Sequence, residues 1–294
     1  VIPPTDSGRR ARIDLHSHST VSDGTLTPAE LVRAAAAAGL DVLAITDHDT
    51  TAGWAAAAAA LPAGLTLVPG VELSCRWYGV RPSIPLHLLG YLFDPTEPEL
   101  VAELDRLRAA REARGVRTVE LLHADGVAVD WAQVRAEAAG GVIGRPHIAR
   151  ALVRAGLVTT MAEAFAPRWL GERYRVPKED MDVFRAVRLI RRAGGVPIFA
   201  HPRASRRGRI VPDRLIVELA RAGLVGLEAD HPDHTPAERA HVRALATELG
   251  LLVTGSSDFH GANKTVRLGE FTTEPEDYQR IVAAGTGVVP ITCR

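Results

Sequence analysis

The chain has 294 residues, is 46% hydrophobic, and carries 35 Lys+Arg against 35 Asp+Glu. That length suits one large domain or a domain with an insert, and the balanced charge disfavours tight binding to long nucleic acids, where affinity grows with each phosphate neutralised. No apolar run reaches the ~18 residues of a membrane-spanning helix, residues 1–12 lack the apolar stretch of a signal peptide, and two distant cysteines, Cys75 and Cys293, make no disulfide framework, so a cytoplasmic protein with no membrane partner is expected.

The first predicted strand, residues 13–16, opens the stretch Arg12-Ile13-Asp14-Leu15-His16-Ser17-His18. On an extended chain residues i and i+2 share a face. His16 and His18 therefore project together, as half of a transition-metal site. Asp23 follows in Ser22-Asp23-Gly24. Thr27-Pro28-Ala29-Glu30 then supplies a cap, an N1 proline and a first-turn acid for a helix over 31–38 that stops at Gly39. Strands are predicted at 42–46, 65–68 and 86–91. The second leads into Thr46-Asp47-His48-Asp49, the third is followed by Gly70-Val71-Glu72, and His87 lies on the fourth.

Beyond the fourth strand the alternation stops. Helices are expected over 98–122, 130–138, 146–155 and 161–169. Residues 99–192 thus read as a helical insert over one mouth of a barrel formed by 11–98 and 193–290. The insert holds 17 Lys+Arg against 13 Asp+Glu and the remainder 18 against 22, a division that suits a metal-binding body receiving an anionic substrate. Strands resume at 196–200, 225–228 and 251–254. Between them lie helices over 212–222, ending at Gly223, and over 236–249, between Thr235 and Gly250. Seven strands alternating with helices argue an α/β fold with a parallel sheet, open or closed.

Nine metal-type side chains fall at or beyond the predicted strand ends: His16, His18, Asp23, His48, Glu72, His87, His201, Asp258 and His260. Barrel enzymes gather their catalytic groups on that face. Imidazole and carboxylate without thiolate suit Mn, Zn or Fe, and nine donors fit two or three ions. Clustered divalent ions activate water and clamp the oxygens of a phosphoryl group. Asp47 and Asp49 read as supports for the ligands. A lysine-bridged amidohydrolase is disfavoured, because the two lysines, Lys178 and Lys264, do not follow the fourth strand; the bridging group would be Glu72. For an anionic substrate the candidates are Arg145 and His147, flanking Pro146 at a helix start, Arg203 after His201-Pro202, His234 after the sixth strand beside His231, and Lys264 in the last loop. Arg206, Arg207 and Arg209 read as a solvated loop that could guide a second phosphate, and Arg111, Arg114 and Arg117 as a solvated helix face. Trp169 and Tyr174 read as core.

The combination of His16-x-His18, Ser22-Asp23-Gly24, Thr46-Asp47-His48, Gly70-Val71-Glu72, Ala200-His201-Pro202 and Ser257-Asp258-Phe259-His260 resembles the PHP phosphoesterases. The resemblance implies a distorted seven-stranded (β/α)7 barrel with a trinuclear metal centre. It implies one ion on His16, His18, Glu72 and Asp258, a second on Glu72, His87 and His201, and a third on Asp23, His48 and His260. The resemblance implies a metal-bridging hydroxide as the nucleophile. The run from Gly144 to Leu152 resembles the subgroup that acts on nucleotides, removing the 3′-phosphate of nucleoside 3′,5′-bisphosphates or degrading short RNA from its 5′ end as exoribonucleases. A metal-dependent phosphoesterase acting on a phosphorylated small molecule or a short oligonucleotide is therefore expected, with His147 a candidate general acid. A histidinol-phosphate phosphatase and a metal-stabilised module without turnover are the alternatives.

Overall fold

The computed structural model describes residues 9–293, so most of the 1–12 stretch read above lies outside the described residues. In chain order it comprises β1 (Ile13–Asp14), α1 (Pro28–Ala37), β2 (Val42–Ile45), α2 (Trp54–Ala59), β3 (Thr66–Trp77), β4 (Ile84–Tyr91), α3 (Pro98–Ala124), α4 (Trp131–Ala138), α5 (Arg145–Arg154), α6 (Met161–Ala164), β5 (Met181–Asp182), α7 (Val183–Arg192), β6 (Val196–Phe199), α8 (Asp213–Arg221), β7 (Gly226–Asp230), α9 (Pro236–Leu249), β8 (Leu252–Gly255), α10 (Pro275–Ala284) and β9 (Ile291–Thr292). Local chemistry sets several of these boundaries. α1 and α9 each begin on a reciprocal capping box, Thr27 with Glu30 and Thr235 with Glu238. α9 ends on Gly250 at φ 66°, a left-handed residue that costs glycine little.

The main sheet runs β1-β2-β3-β4-β6-β7-β8. Its two outer strands meet beyond their ends: Ser17 bridges Phe259, with the His18 N–H donating to the Phe259 carbonyl at 2.8 Å and the Phe259 N–H to His16 at 3.3 Å. Seven strands therefore form a nearly closed barrel, laced shut beside His16 and His18.

The expectation of a parallel sheet needs correction at β4, which is antiparallel to both β3 and β6; the other neighbouring pairs along this path are parallel. The third strand does not stop at 68 but runs on to Trp77. Only residues 78–83 then remain before β4, and a parallel return needs a crossover of a dozen or more. A hairpin is the result. β3 pairs with β2 through residues 66–69 and with β4 through 70–77. Over its second half Val71, Leu73, Cys75 and Trp77 enter one hydrophobic cluster with Leu100, Leu104, Val187 and Ile190, while Glu72, Ser74 and Arg76 take the opposite face.

The helical segment between β4 and β5 has a core of its own, including Val119, Leu122, Val134, Ile148, Leu152 and Tyr174. The start of α3 and all of α7 pack on the barrel instead, so this separate core is narrower than 99–192. The helix expected over 161–169 stops at Ala164. Pro167 brings no N–H to an interior turn, and Trp169 leaves helical geometry at φ −120°, ψ −135°. No helix among the described residues is long and apolar enough to cross a membrane.

One buried hydrogen bond joins the barrel wall to the future site. Tyr91, fully buried at the end of β4, donates to the Leu15 carbonyl at 2.7 Å, next to His16. Tyr91→Phe removes that donor and is expected to lower unfolding stability by about 1–2 kcal/mol. Urea denaturation checks this, and an unchanged midpoint would mean the carbonyl finds another donor.

Candidate metal centre

The loops at one end of the barrel are shaped by carboxylates that point sideways into backbone. Asp47 accepts from the Ser19 N–H at 2.8 Å and from the Ser19 and Ser22 hydroxyls at 2.6 Å each. This fastens the turn that carries Asp23. The turn closes so tightly that a Cβ on Gly24 would lie 2.3 Å from the His18 carbonyl oxygen, so only glycine fits. Asp14 accepts from Ser257 N–H at 3.0 Å and Gly269 N–H at 2.9 Å, joining the Asp258 loop to β1.

All nine side chains singled out as ligands come together there. His16 Nε2 and His18 Nε2 lie 3.1 Å apart. Glu72 Oε2 is 3.3 Å from the first, 3.2 Å from the second and 3.2 Å from His48 Nδ1. Asp258 Oδ1 is 3.4 Å from each of the same two Nε2 atoms. The other oxygen of Glu72 faces His87 Nδ1 at 2.8 Å and His201 Nε2 at 3.1 Å. Asp23 faces His260 Nε2 at 3.3 Å, His18 Nδ1 at 3.7 Å and His48 Nε2 at 3.8 Å. Glu72, expected just beyond the third strand, sits within β3, and His87 lies within β4 as expected; both enter from the barrel wall.

This donor set fits divalent cations. Atoms bound at about 2.1 Å to one ion stand roughly 3.0–3.4 Å apart in octahedral or tetrahedral arrangements, the spacing of the His16, His18, Glu72 and Asp258 atoms. His48 Nδ1, His87 Nδ1 and Asp258 Oδ1 are buried without a hydrogen-bond partner, although His87 Nδ1 is within 2.8 Å of Glu72. Such contacts without hydrogen-bond alignment are expected of lone pairs aimed at a common third atom. Burial opposes charge on His16, yet Asp258, Glu228 and Glu72 outweigh it and raise its pKa well above the ordinary value. Burial likewise favours a neutral Glu72, yet His87, His16 and His48 hold it well below the usual range. The buried carboxylates thus demand positive charge that cations can supply. Burial, reinforced by Arg207, drives His201 well below its ordinary pKa, into the neutral form that ligates metal.

Several expected substrate groups are engaged elsewhere. Arg203 turns away: its guanidinium donates to the Val211 carbonyl at 2.5 Å and pairs with Asp213. His234 has both ring nitrogens occupied, at 2.8 Å from the Ala229 carbonyl and 3.0 Å from the Arg203 N–H, so it ties two loops together outside the cluster. His147 is buried, and its Nδ1 accepts from the Gly144 N–H at 2.9 Å. Burial and then the charge of Arg150 lower its pKa to about 4, with the Ser22 backbone as a further partner. A neutral, doubly engaged imidazole does not suit a general acid. Arg145 donates to the Leu170 carbonyl at 3.0 Å and lies over the Phe165 ring rather than on the cluster. Lys264 does reach it, with Nζ 2.5 Å from Asp258 Oδ2.

Three further residues complete the cluster: Glu228, which the sequence reading passed over, His231, which it set beside the favoured His234, and Arg207, which it read as part of a solvated loop that could guide a second phosphate. Glu228 is fully buried and uses both oxygens, one 2.9 Å from His16 Nδ1 and the other accepting the His201 N–H at 2.8 Å. His231, rather than His234, faces inward, 3.1 Å from Asp258 Oδ2. Arg207 contacts Asp258 and His201. The signal for His231 was available, since it directly follows β7 just as His201 lies two residues past the end of β6. Glu228→Gln leaves shape intact but weakens the hold on both histidines. Its metal affinity is expected to fall 10- to 100-fold, read by competition with a chelator; unchanged affinity would remove Glu228 from this role.

Comparison with known proteins agrees with this geometry. Residues 14–125 match the PHP domain. A 5′-3′ exoribonuclease of Haemophilus influenzae is 38% identical over 88% of this chain and 93% of its own length. A 3′,5′-nucleoside bisphosphate phosphatase of Chromobacterium violaceum is 38% identical over 85% of this chain and 87% of its own. A solved structure assigned as a metal-dependent phosphoesterase, from Bifidobacterium adolescentis, superposes with a TM-score of 0.85 at 36% identity, covering 93% of this chain and 96% of that one. With a nearly closed barrel of seven strands and a mouth lined by imidazoles and carboxylates, the chain belongs to the PHP family and is a metal-dependent phosphoesterase.

Proposed function

We propose that the substrate is a nucleotide bearing a second phosphate, such as a nucleoside 3′,5′-bisphosphate, or a short oligonucleotide. The observation that carries this reading is the placement of three cations, Arg111, Arg114 and Lys178, beside the cluster. They line a narrow cleft together with Ser74 and the carboxylates of Asp49, Glu179 and Asp180, so three cations stand there against three acids. Arg111 donates to Asp49 at 2.6 Å and to the Ser74 hydroxyl at 2.7 Å. Asp49 follows His48, and Ser74 pairs with His87 across the β3–β4 register, so the cleft adjoins the centre. Arg114 is lowered to about 10, by burial first and then by Arg111, with Asp180 and Asp49 opposing and Arg145 adding to the fall. Lys178 is lowered to about 8 by burial, with Asp180 opposing and Arg111 and Arg114 adding to the fall. Burial is the main cause for both, and a second phosphate reaching Arg114 and Lys178 would replace hydration that these two cations have lost. A monophosphate such as histidinol phosphate has no use for such a site. The relatives named a bisphosphate phosphatase and an exoribonuclease support the same reading.

The nine-residue cluster would hold two or three Mn, Zn or Fe ions in the groupings His16, His18, Glu72, Asp258; Glu72, His87, His201; and Asp23, His48, His260. Bound there, such ions supply an activated water and polarise the phosphoryl oxygens. Glu228 aims His16 and His201, Asp47 holds the Asp23 turn, and His231 and Lys264 fix Asp258 through Oδ2, leaving Oδ1 directed inward. His147 secures the Asp23 loop against α5 without changing protonation at neutral pH. A cytoplasmic location belongs to the same reading, supported by the scarcity of cysteine.

Phosphate release from adenosine 3′,5′-bisphosphate with added Mn²⁺ is expected, with little from histidinol phosphate assayed in parallel; turnover of histidinol phosphate alone would overturn the reading. Arg114→Ala is expected to raise KM for the bisphosphate about tenfold or more while sparing a monophosphate. Because the charged form of Lys178 binds the anion, KM for the bisphosphate should also climb as pH rises through about 8, and Lys178→Arg should flatten that rise.

A further inference from the structure

Arg207 lies in the short turn Ser205–Arg207, followed by Gly208 at φ 126°, on the loop that leaves the His201 end of β6. Its guanidinium is used in two distinct ways. Nε donates to Asp233 Oδ2 at 2.6 Å, at the partly exposed rim. The two terminal nitrogens reach inward, Nη2 to Asp258 Oδ2 at 2.5 Å and Nη1 to His201 Nε2 at 3.0 Å. An arginine anchored through Nε presents its two outer N–H groups as a fork, the geometry that takes two oxygens of one phosphate.

One of those inward contacts is conflicted. His201 Nε2 lies 3.1 Å from Glu72 Oε1, which can only accept, and 3.0 Å from Nη1 of Arg207, which can only donate. A single imidazole nitrogen cannot donate to one and accept from the other. His201 and Glu72 could instead both serve a divalent cation through these lone pairs, and Nη1 would then have to give way. The guanidinium stays tethered by Asp233, beside a cation that repels it, unless an anion lies between them. A phosphoryl group at the centre is that anion.

We propose that Arg207 grips the phosphoryl group undergoing hydrolysis, with Asp233 as the residue that positions it. Arg207 is then a catalytic residue of the phosphoesterase reaction, distinct from the cations of the Arg111–Lys178 cleft. The side chain is 31% exposed, so it is open to an arriving substrate while touching two candidate ligands.

The test uses Mn²⁺-loaded enzyme and three variants, Arg207→Lys, Arg207→Ala and Asp233→Asn. Metal content, inorganic phosphate binding by calorimetry, and kcat/KM are each measured. The expected result is unchanged metal content in Arg207→Lys, phosphate affinity weakened at least tenfold, and kcat/KM reduced roughly 10²-fold. Arg207→Ala should be worse and Asp233→Asn intermediate. Phosphate affinity within twofold of the parent in both Arg207 variants would overturn the proposal, whatever happens to turnover. Loss of metal from Arg207→Lys in step with loss of phosphate binding would also overturn it, by making Arg207 a support for Asp258 and His201.

Discussion

The buried carboxylate of Glu72 is the constraint on which the rest of the centre depends. Its two oxygens face five imidazoles, His16, His18 and His48 on one side and His87 and His201 on the other. It can occupy that place because β3 changes partners along its length. The first third of the strand continues the parallel sheet. The remainder forms a hairpin that turns its polar face inward, and His48 bridges Glu72 at the changeover. A carboxylate so deeply buried is tolerable only among groups that neutralise it. The barrel is thus built around a charge that its own backbone cannot satisfy.

A further ring of acids settles how the donors point. Asp14, Asp47, Asp49 and Glu228 spend their oxygens on backbone N–H groups, hydroxyls, Arg111 and the far nitrogen of His16. These bonds offset a local cost. Asp49, His201 and Asp258 have φ of 55°, 32° and 50°, in a region that residues other than glycine seldom adopt. Each is held from more than one direction: Asp49 by Ser74 and Arg111, His201 by Glu228 and Glu72, and Asp258 by His231, Lys264 and Arg207. Strain of this kind persists where surrounding contacts over-determine it, and it gathers at functional sites.

Charged groups at the centre come from two parts of the chain. The barrel contributes the nine candidate ligands together with Arg207 and Lys264, whereas α3 and the segment before β5 contribute Arg111, Arg114 and Lys178 beside Glu179 and Asp180. Packing explains how the helical segment lies close enough for this. The start of α3 shares the hydrophobic cluster of β3 and α7, so its next turns pass directly over the hairpin that carries Glu72 and His87. Arg111 then joins the two halves by bonding Asp49 and Ser74 together.

Much of this was legible in the residues alone. The nine donors announced themselves because metal chemistry limits which side chains can serve, and the capped helices α1 and α9 because orphan N–H groups need particular partners near in sequence. The direction of β4 was obscured because the third strand was read as ending at 68, although its 70–77 stretch alternates polar and apolar as a half-buried strand does. Long side chains were the least legible. Arg203 and Arg207 are four residues apart on one loop, yet only Arg207 reaches the centre, because the turn after the left-handed His201 sends Arg203 toward Asp213. Likewise the choice of His231 over His234 depends on where β7 ends and α9 begins. Sequence by itself determined which chemistry the chain carries, since that depends on residue type; only the tertiary structure decided which cations meet it, since a flexible side chain goes where distant partners draw it.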